Sequence, residues 1–374
     1  MIILKAKYEI VEQRYNDISL IKDMFKHIEL CGRTCYKSED KITDESYEKF
    51  IKMLTESEHG AMLEHGTVYL TIPLGTPVND PQYMWKMDII KFFSKNKYSV
   101  VKNKEINETV DIEIKGYEIC KQASATFYYI TTNWRVIIEN KDLNIIKYFT
   151  DNYHIKTESL KDSILQWMTS PTEEHEKRYT VRFTYHLAVA RDINRHRVQS
   201  IGEESTRYCN YSKSKFGSEL NYIEPVFLSD KEKEILNNPN MQRTLQENCV
   251  YVSEGYDSDI WDALDYFIFA LEACEFSYLN LIRLGWTPQK ASLVLPLDTK
   301  TCSVHTAFAS DWSHFFNLRA LGTTGSPRPS AKEVAWPLME EFLKNGWITE
   351  DMINKEKYHQ IKDKYTNIED YIKL

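Results

Sequence analysis

Glycine is scarce, at 12 of 374 residues, and neither a G-x-G-x-x-G nor a G-x-x-x-x-G-K run occurs. The usual glycine-rich cradles for dinucleotide or triphosphate groups are therefore excluded, and any nucleotide must be held by side chains. No apolar run approaches the roughly 20 residues that cross a bilayer, and no secretory leader opens the sequence. A cytoplasmic protein with no membrane contact is the expectation. The seven cysteines, at 31, 35, 120, 209, 249, 274 and 302, are an odd number, which suits reduced thiols better than a disulfide framework. Cys31 and Cys35 have no second Cys/His pair nearby to complete four zinc ligands, so no metal is expected. A basic surplus is missing too. Lys and Arg number 47 against 55 Asp and Glu, a net charge of −8, which argues against a nucleic-acid groove. What remains, 42% hydrophobic and 27% charged residues, is the composition of an ordinary globular protein with room for one large or two smaller domains.

Positive charge nevertheless concentrates in one place. Residues 195–208 read Arg-His-Arg-Val-Gln-Ser-Ile-Gly-Glu-Glu-Ser-Thr-Arg-Tyr, with Arg191 just upstream. If 203–207 is extended, the period of two puts Glu203, Ser205 and Arg207 on one face. A carboxylate, a hydroxyl and a guanidinium beside clustered cations suit a ligand with both a phosphate and a hydrogen-bonding ring. A small-molecule nucleotide fits that description.

Periodicity sketches the rest. The opening Met1–Tyr8 reads as a strand, as do 67–72, 127–130 and 180–187, with 133–139 continuing the third beyond a turn. Helical spacing appears over 38–54 (Tyr47, Phe50, Ile51, Leu54) and 257–284 (Ile260, Trp261, Leu264, Phe267, Ile268, Leu271, Tyr278, Leu281), the latter stopped by Gly285. A short helix from about 188 should carry Arg191 and Arg195. Thr287-Pro288 reads as a helix start, and Trp312, Phe315, Phe316 and Arg319 mark another helix. Ser330-x-x-Glu333 has the form of a capping box opening a helix with Val334, Leu338 and Phe342 inward. The charged tail from 350 reads as a solvated helix. Strands and long helices without regular alternation predict an α+β fold, a mixed or antiparallel sheet packed with long helices.

The Arg195–Tyr208 run resembles the signature of the flavin-dependent thymidylate synthases, Arg-His-Arg followed after seven residues by Ser. The likeness continues in Met62-Leu63-Glu64-His65-Gly66-Thr67, Val294-Leu295-Pro296 and His314-Phe315-Phe316-Asn317-Leu318-Arg319. It implies a catalytic unit of 1–72 plus 179–345, an insert at 73–178 and a charged tail at 346–374. It further implies a homotetramer with sites at subunit interfaces. The activity implied is reductive methylation of dUMP to dTMP, with FAD, NADPH and 5,10-methylenetetrahydrofolate.

By the same resemblance, Arg195, His196 and Arg197 would lie against the flavin, with His65, Glu203 and His314 beside it. Glu203, Ser205, Arg207, Arg195 and Asp192 would hold the nucleotide. Arg319 would contact the pyrimidine, making Arg319, Ser205 and Arg195 the catalytic set. No cysteine nucleophile is implied, so Cys209 gains no role from its neighbourhood. Gly202 stands where Asn or Gln is usual, Asp192 where Gln or Glu is usual, and Ser292 where an Arg often sits. Arg328, in a loop that replaces the usual His-x-Gln segment, is a candidate for the missing cation. A carboxylate at 192 suits an exocyclic amine, which leaves a cytosine nucleotide or a hydroxymethyl product as alternatives, and Ser292 with Gly202 leaves a non-catalytic nucleotide binder. A helical ion pair between Asp192 and His196, four residues on, is just as natural a reading of that residue.

Overall fold

The computed structural model describes the chain except residues 17–18, 115–116, 141–142, 144–162, 214–217 and 239–260, and only the backbone of 107–114 and 117–124. The first half runs β1 (Ile2–Leu4), β2 (Lys7–Ile10), α1 (Leu20–Tyr36), α2 (Ser46–Glu56), α3 (Gly60–Leu63), β3 (Thr67–Leu74), α4 (Tyr83–Lys95), β4 (Val100–Ile114), β5 (Tyr117–Asn133) and α5 (Trp134–Ile138). The second runs β6 (Arg178–His186), α6 (Leu187–Ile193), β7 (Ser200–Glu203), β8 (Asn221–Ile223), α7 (Asp230–Asn237), α8 (Ala263–Arg283) and α9 (Pro288–Ala291). It ends with β9 (Lys300–Phe308), α10 (Ala309–Arg319), α11 (Pro329–Lys344), α12 (Lys355–Lys364) and α13 (Ile368–Lys373). The fold is α+β, as its mixed periodicities predict.

Two antiparallel sheets organise it, ordered β2-β6-β9-β7 and β3-β5-β4, beside a short parallel pairing of β1 with β8. On β6 the alternation of Val181, Phe183 and Tyr185, all fully buried, presents one face to Trp312, Phe315 and Phe316 of α10 and to Val334, Leu338 and Phe342 of α11. A second core joins Met24, Phe25 and Ile28 of α1 and Phe50, Ile51 and Leu54 of α2 to β3, α4 and α5. The 73–178 segment therefore shares its core with the first 72 residues.

Several expectations need correction. The opening strand is two, because the chain passes at Lys5-Ala6 from its pairing with β8 to a pairing with β6. The helix expected from 38 starts at Ser46, after a 3-10 turn at Glu39–Lys41. Residues 134–138 are helical, since Asn133 caps them by accepting the Val136 N–H at 3.0 Å. Within the expected helix 257–284, residues 257–260 lie outside the described residues, and the observed start is set by an Asp262–Asp265 capping box. The Ser330–Glu333 box does not form: Pro329 takes the first helical position, which places Ser330 inside the helix. The tail is not a solvated helix, because Ile353, Tyr358 and Ile361 are buried against α11. Helix α1, with Met24, Phe25, Ile28, Cys31 and Cys35 on its buried side, was not anticipated.

Between α1 and the first sheet lies a row of buried polar groups. His27 Nε2 meets Thr180 Oγ1 at 3.0 Å, Thr180 meets Thr306 Oγ1 at 2.7 Å, and Thr306 meets His65 Nδ1 at 2.8 Å. Burial, with help from Arg178, lowers the His27 pKa to about 4, and burial with His196 lowers that of His305 to about 3. In the unfolded chain both rings gain protons as pH falls through about 6.5, whereas the folded chain keeps them neutral to the lower values. Their full contribution to stability is thus present above pH 6.5 and is lost between 6.5 and about 3, at about 3 kcal/mol for His27 alone. The urea midpoint should accordingly fall between pH 7 and about 4.5, and imidazole NMR signals showing His27 and His305 protonated at about pH 5 would refute the neutral assignment.

Candidate functional site

β7 pairs with β9 from Ser200–Thr306 to Glu203–Ser303 and then stops. The Ser205 N–H turns aside to the carbonyl of Cys35 at 3.0 Å, and the Ser205 carbonyl accepts the amides of Tyr208 and Cys209. Residues 203–207 are therefore not extended. Glu203 ends a strand and Ser205 and Arg207 sit on a turn, so the shared face expected from a period of two does not exist. Gly202 is fixed by a close approach: a Cβ there would lie 2.7 Å from Cys35 Sγ and 3.2 Å from Met62 Cε. Neither Asn nor Gln fits beneath α1, which accounts for glycine at this position.

The motif meets the distant α10 through Arg319. Its Nε donates to His196 Nε2 at 3.1 Å and its Nη2 to the backbone carbonyl of Asp192. The His196 ring, only 5% exposed, also packs edge-on against Phe315 at 5.0 Å and the exposed His314 at 5.9 Å. Burial, then Arg319 and His314, lowers its pKa to about 4, so it accepts from Arg319 as a neutral imidazole. The expected Asp192–His196 ion pair is absent. Asp192 instead takes Arg328 Nε on its carboxylate at 3.2 Å. Ser292 places its hydroxyl on the Gln289 carbonyl at 3.0 Å.

Arg195 lies past the end of α6, not within it. It is exposed, as are Arg191, Arg197 and Arg207, and none of the four has an ion pair among the described residues. Arg195 is near enough to Arg319 for its charge to oppose that of Arg319. Arg207 lies over the Tyr208 ring at 5.6 Å. Glu203 accepts from Asn194 Nδ2 at 2.7 Å and from Thr301 Oγ1 at 3.2 Å, while burial raises its pKa. The Ser205 hydroxyl makes no hydrogen bond among the described residues. His65 is the outlier: fully buried and bonded to Thr306, it lines no open surface.

Sequence reasoning passed over Glu204, whose carboxylate, 3% exposed, meets Lys300 Nζ at 2.7 Å, Tyr211 Oη at 3.1 Å and Lys37 Nζ at 3.6 Å. It also passed over Asn194 and the set Gln199, His305, Ser303 and Tyr185 beneath β7. For Tyr185, Ser303 and His305, polar atoms at buried positions of an alternating strand were the available signal.

The α+β fold thus carries the buried His196 between the exposed Arg195 and Arg197 in the chain, with the half-buried Glu203 ending β7. The family model described as thymidylate synthase complementing protein matches residues 118–345, more than half of the chain. The chain belongs to that family. Two crystal structures of the UMP/dUMP methylase PolB from Streptomyces cacaoi also align with it. The form bound with 5-Br dUMP is 14% identical over 92% of this chain and 93% of that one, with a TM-score of 0.34. The form bound with 5-Br UMP is 13% identical over 92% of each, with the same score. No curated protein matches. Among the described residues no helix is long and apolar enough to cross a membrane, and no group of three or more His, Cys, Asp or Glu is placed to hold a metal.

Proposed function

We propose that this protein methylates dUMP to dTMP as a flavin-dependent thymidylate synthase, with 1–72 and 179–345 as the catalytic unit and 73–178 as an insert that shares a core with its first 72 residues. The observation that carries this reading is Arg319 joined to His196 and to Asp192, which ties the motif to a helix more than a hundred residues away. The donors suit FAD: Arg195 and Arg197 are unpaired cations for a pyrophosphate, and the His196 and His314 edges lie beside them. When bound, FAD supplies the hydride, after reduction by NADPH, to a carbon delivered by 5,10-methylenetetrahydrofolate.

The chain's own residues bind and polarise the nucleotide. Arg207 is the phosphate partner, and the free hydroxyl of Ser205 and the carboxyl of Glu203 hold the deoxynucleoside. Arg319, oriented by neutral His196, stabilises negative charge as the pyrimidine is activated. Asp192 is occupied by Arg328, which favours a uracil nucleotide over a cytosine one. Phe276, Leu284, Trp286, Leu293 and Leu297, exposed between 45 and 83%, supply an apolar surface for the homotetramer. Purified protein should be yellow, and should release tritium from 5-tritiated dUMP when NADPH and methylenetetrahydrofolate are present. Colourless protein that cannot take up FAD would end this reading, and turnover of dCMP in preference to dUMP would redirect it to the other base.

A further inference from the structure

We propose that residues 346–374 form a clamp that sets the pose of loop 320–328, making Tyr371 and Lys357 positioning residues for nucleotide binding. The inference rests on the nucleotide reading above, and it concerns a segment beyond the end of the family match.

Three contacts from this segment converge on the ends of one short stretch. The Asn354 N–H donates to Asn317 Oδ1 at 2.7 Å, Tyr371 Oη to the Ala320 carbonyl at 2.8 Å, and Lys357 Nζ to the Gly322 carbonyl. They flank Arg319 on both sides. Tyr371 is itself fixed from below. Lys332, fully buried on α11, donates to its carbonyl at 2.6 Å and lies 4.4 Å from its ring centre. Burial lowers the Lys332 pKa, and no carboxylate pairs with that ammonium among the described residues. The carbonyl and ring of Tyr371 are thus what compensates its charge, which ties α13 to α11.

The loop needs such a hold. Gly322 (φ +66°) and Gly325 (φ +147°) give it backbone freedom, and residues 324–326 are exposed. Its far end is stiff, because Pro327 and Pro329 flank Arg328. The clamp thus fixes the loop where it leaves α10, the prolines fix it at Arg328, and Asp192 joins the two ends. Arg319 and Arg328 meet on one residue, Asp192, through its carbonyl and its carboxylate. Loosening the clamp would disturb both guanidiniums together, leaving the core of β6, α10 and α11 in place.

The test uses the full chain carrying Tyr371→Phe with Lys357→Met, and measures dUMP binding by calorimetry alongside hydrogen exchange of the 320–326 amides. The pair should weaken dUMP about tenfold and speed loop exchange about tenfold. Lys357→Arg, still able to reach the Gly322 carbonyl, should restore most of the affinity. Unchanged loop exchange, or faster exchange with unchanged dUMP affinity, overturns the clamp. If the unmodified chain binds no dUMP, the nucleotide reading falls instead, and loop exchange alone decides the clamp.

Discussion

Replacing Arg319 with alanine is expected to lower turnover of dUMP by about 30- to 1,000-fold, a loss of about 2–4 kcal/mol of transition-state stabilisation. The guanidinium is half-buried, donates to His196 and to the Asp192 carbonyl, and bears the repulsion of Arg195. Such a group is held at an energetic cost that a developing negative charge offsets. The loss should fall mainly on kcat, since Arg195, Arg207 and Arg328 still attract the phosphate. Arg319→Lys should lie between the two, because an ammonium keeps the charge but lacks the fork that reaches two acceptors at once. Steady-state kinetics at saturating dUMP measure both variants, and near-normal kcat in Arg319→Ala would remove Arg319 from the chemistry.

Glu204→Ala should destabilise the fold by about 3–5 kcal/mol, among the largest effects of any single change outside the apolar core. Lys300 is 7% exposed and its Nζ lies 2.7 Å from Glu204 Oε2. Burial works against the charged ammonium, yet Glu204 and Cys302 outweigh it and hold the Lys300 pKa above its ordinary value. Without the carboxylate, that ammonium is left buried with no opposite charge, and Tyr211 Oη loses its acceptor. Pairing Glu204→Met with Lys300→Met should recover much of the loss, because an apolar pair of similar volume carries no desolvation cost. Urea denaturation of the three variants at pH 7 provides the comparison. A loss below about 1 kcal/mol for Glu204→Ala would show that Lys300 finds solvent or another partner.

Much of the architecture is legible where periodicity and burial agree. Residues 180–187 alternate because one face of β6 meets α10 and α11, and the stop of α8 at Gly285 (φ +93°) needs only local chemistry. Where local signals compete with distant partners, reading fails. Val136, Ile137 and Ile138 have strand-like side chains but are helical, since Asn133 caps them and the core accepts that face. Helix α1 was passed over because Cys31, Cys35 and His27 make up part of its buried stripe. At the site, residue types were readable but their geometry was not. That Glu203 ends its strand depends on the Ser205 N–H meeting the carbonyl of Cys35, 170 positions before Ser205, and the partner of Asp192 depends on a loop that arrives after α10.

The row from His27 to His65 has a consequence for where protons reside. Three links join four side chains, and the two threonine hydroxyls supply one hydrogen each. With both hydroxyls pointing along the row the third comes from an imidazole, and in that arrangement one histidine presents N–H to the row and the other a lone pair. The two rings therefore hold opposite states towards one another although they never touch. A tautomer change at either end reverses every hydroxyl between them, and the interior of the sheet behaves as a single polar unit with two directions.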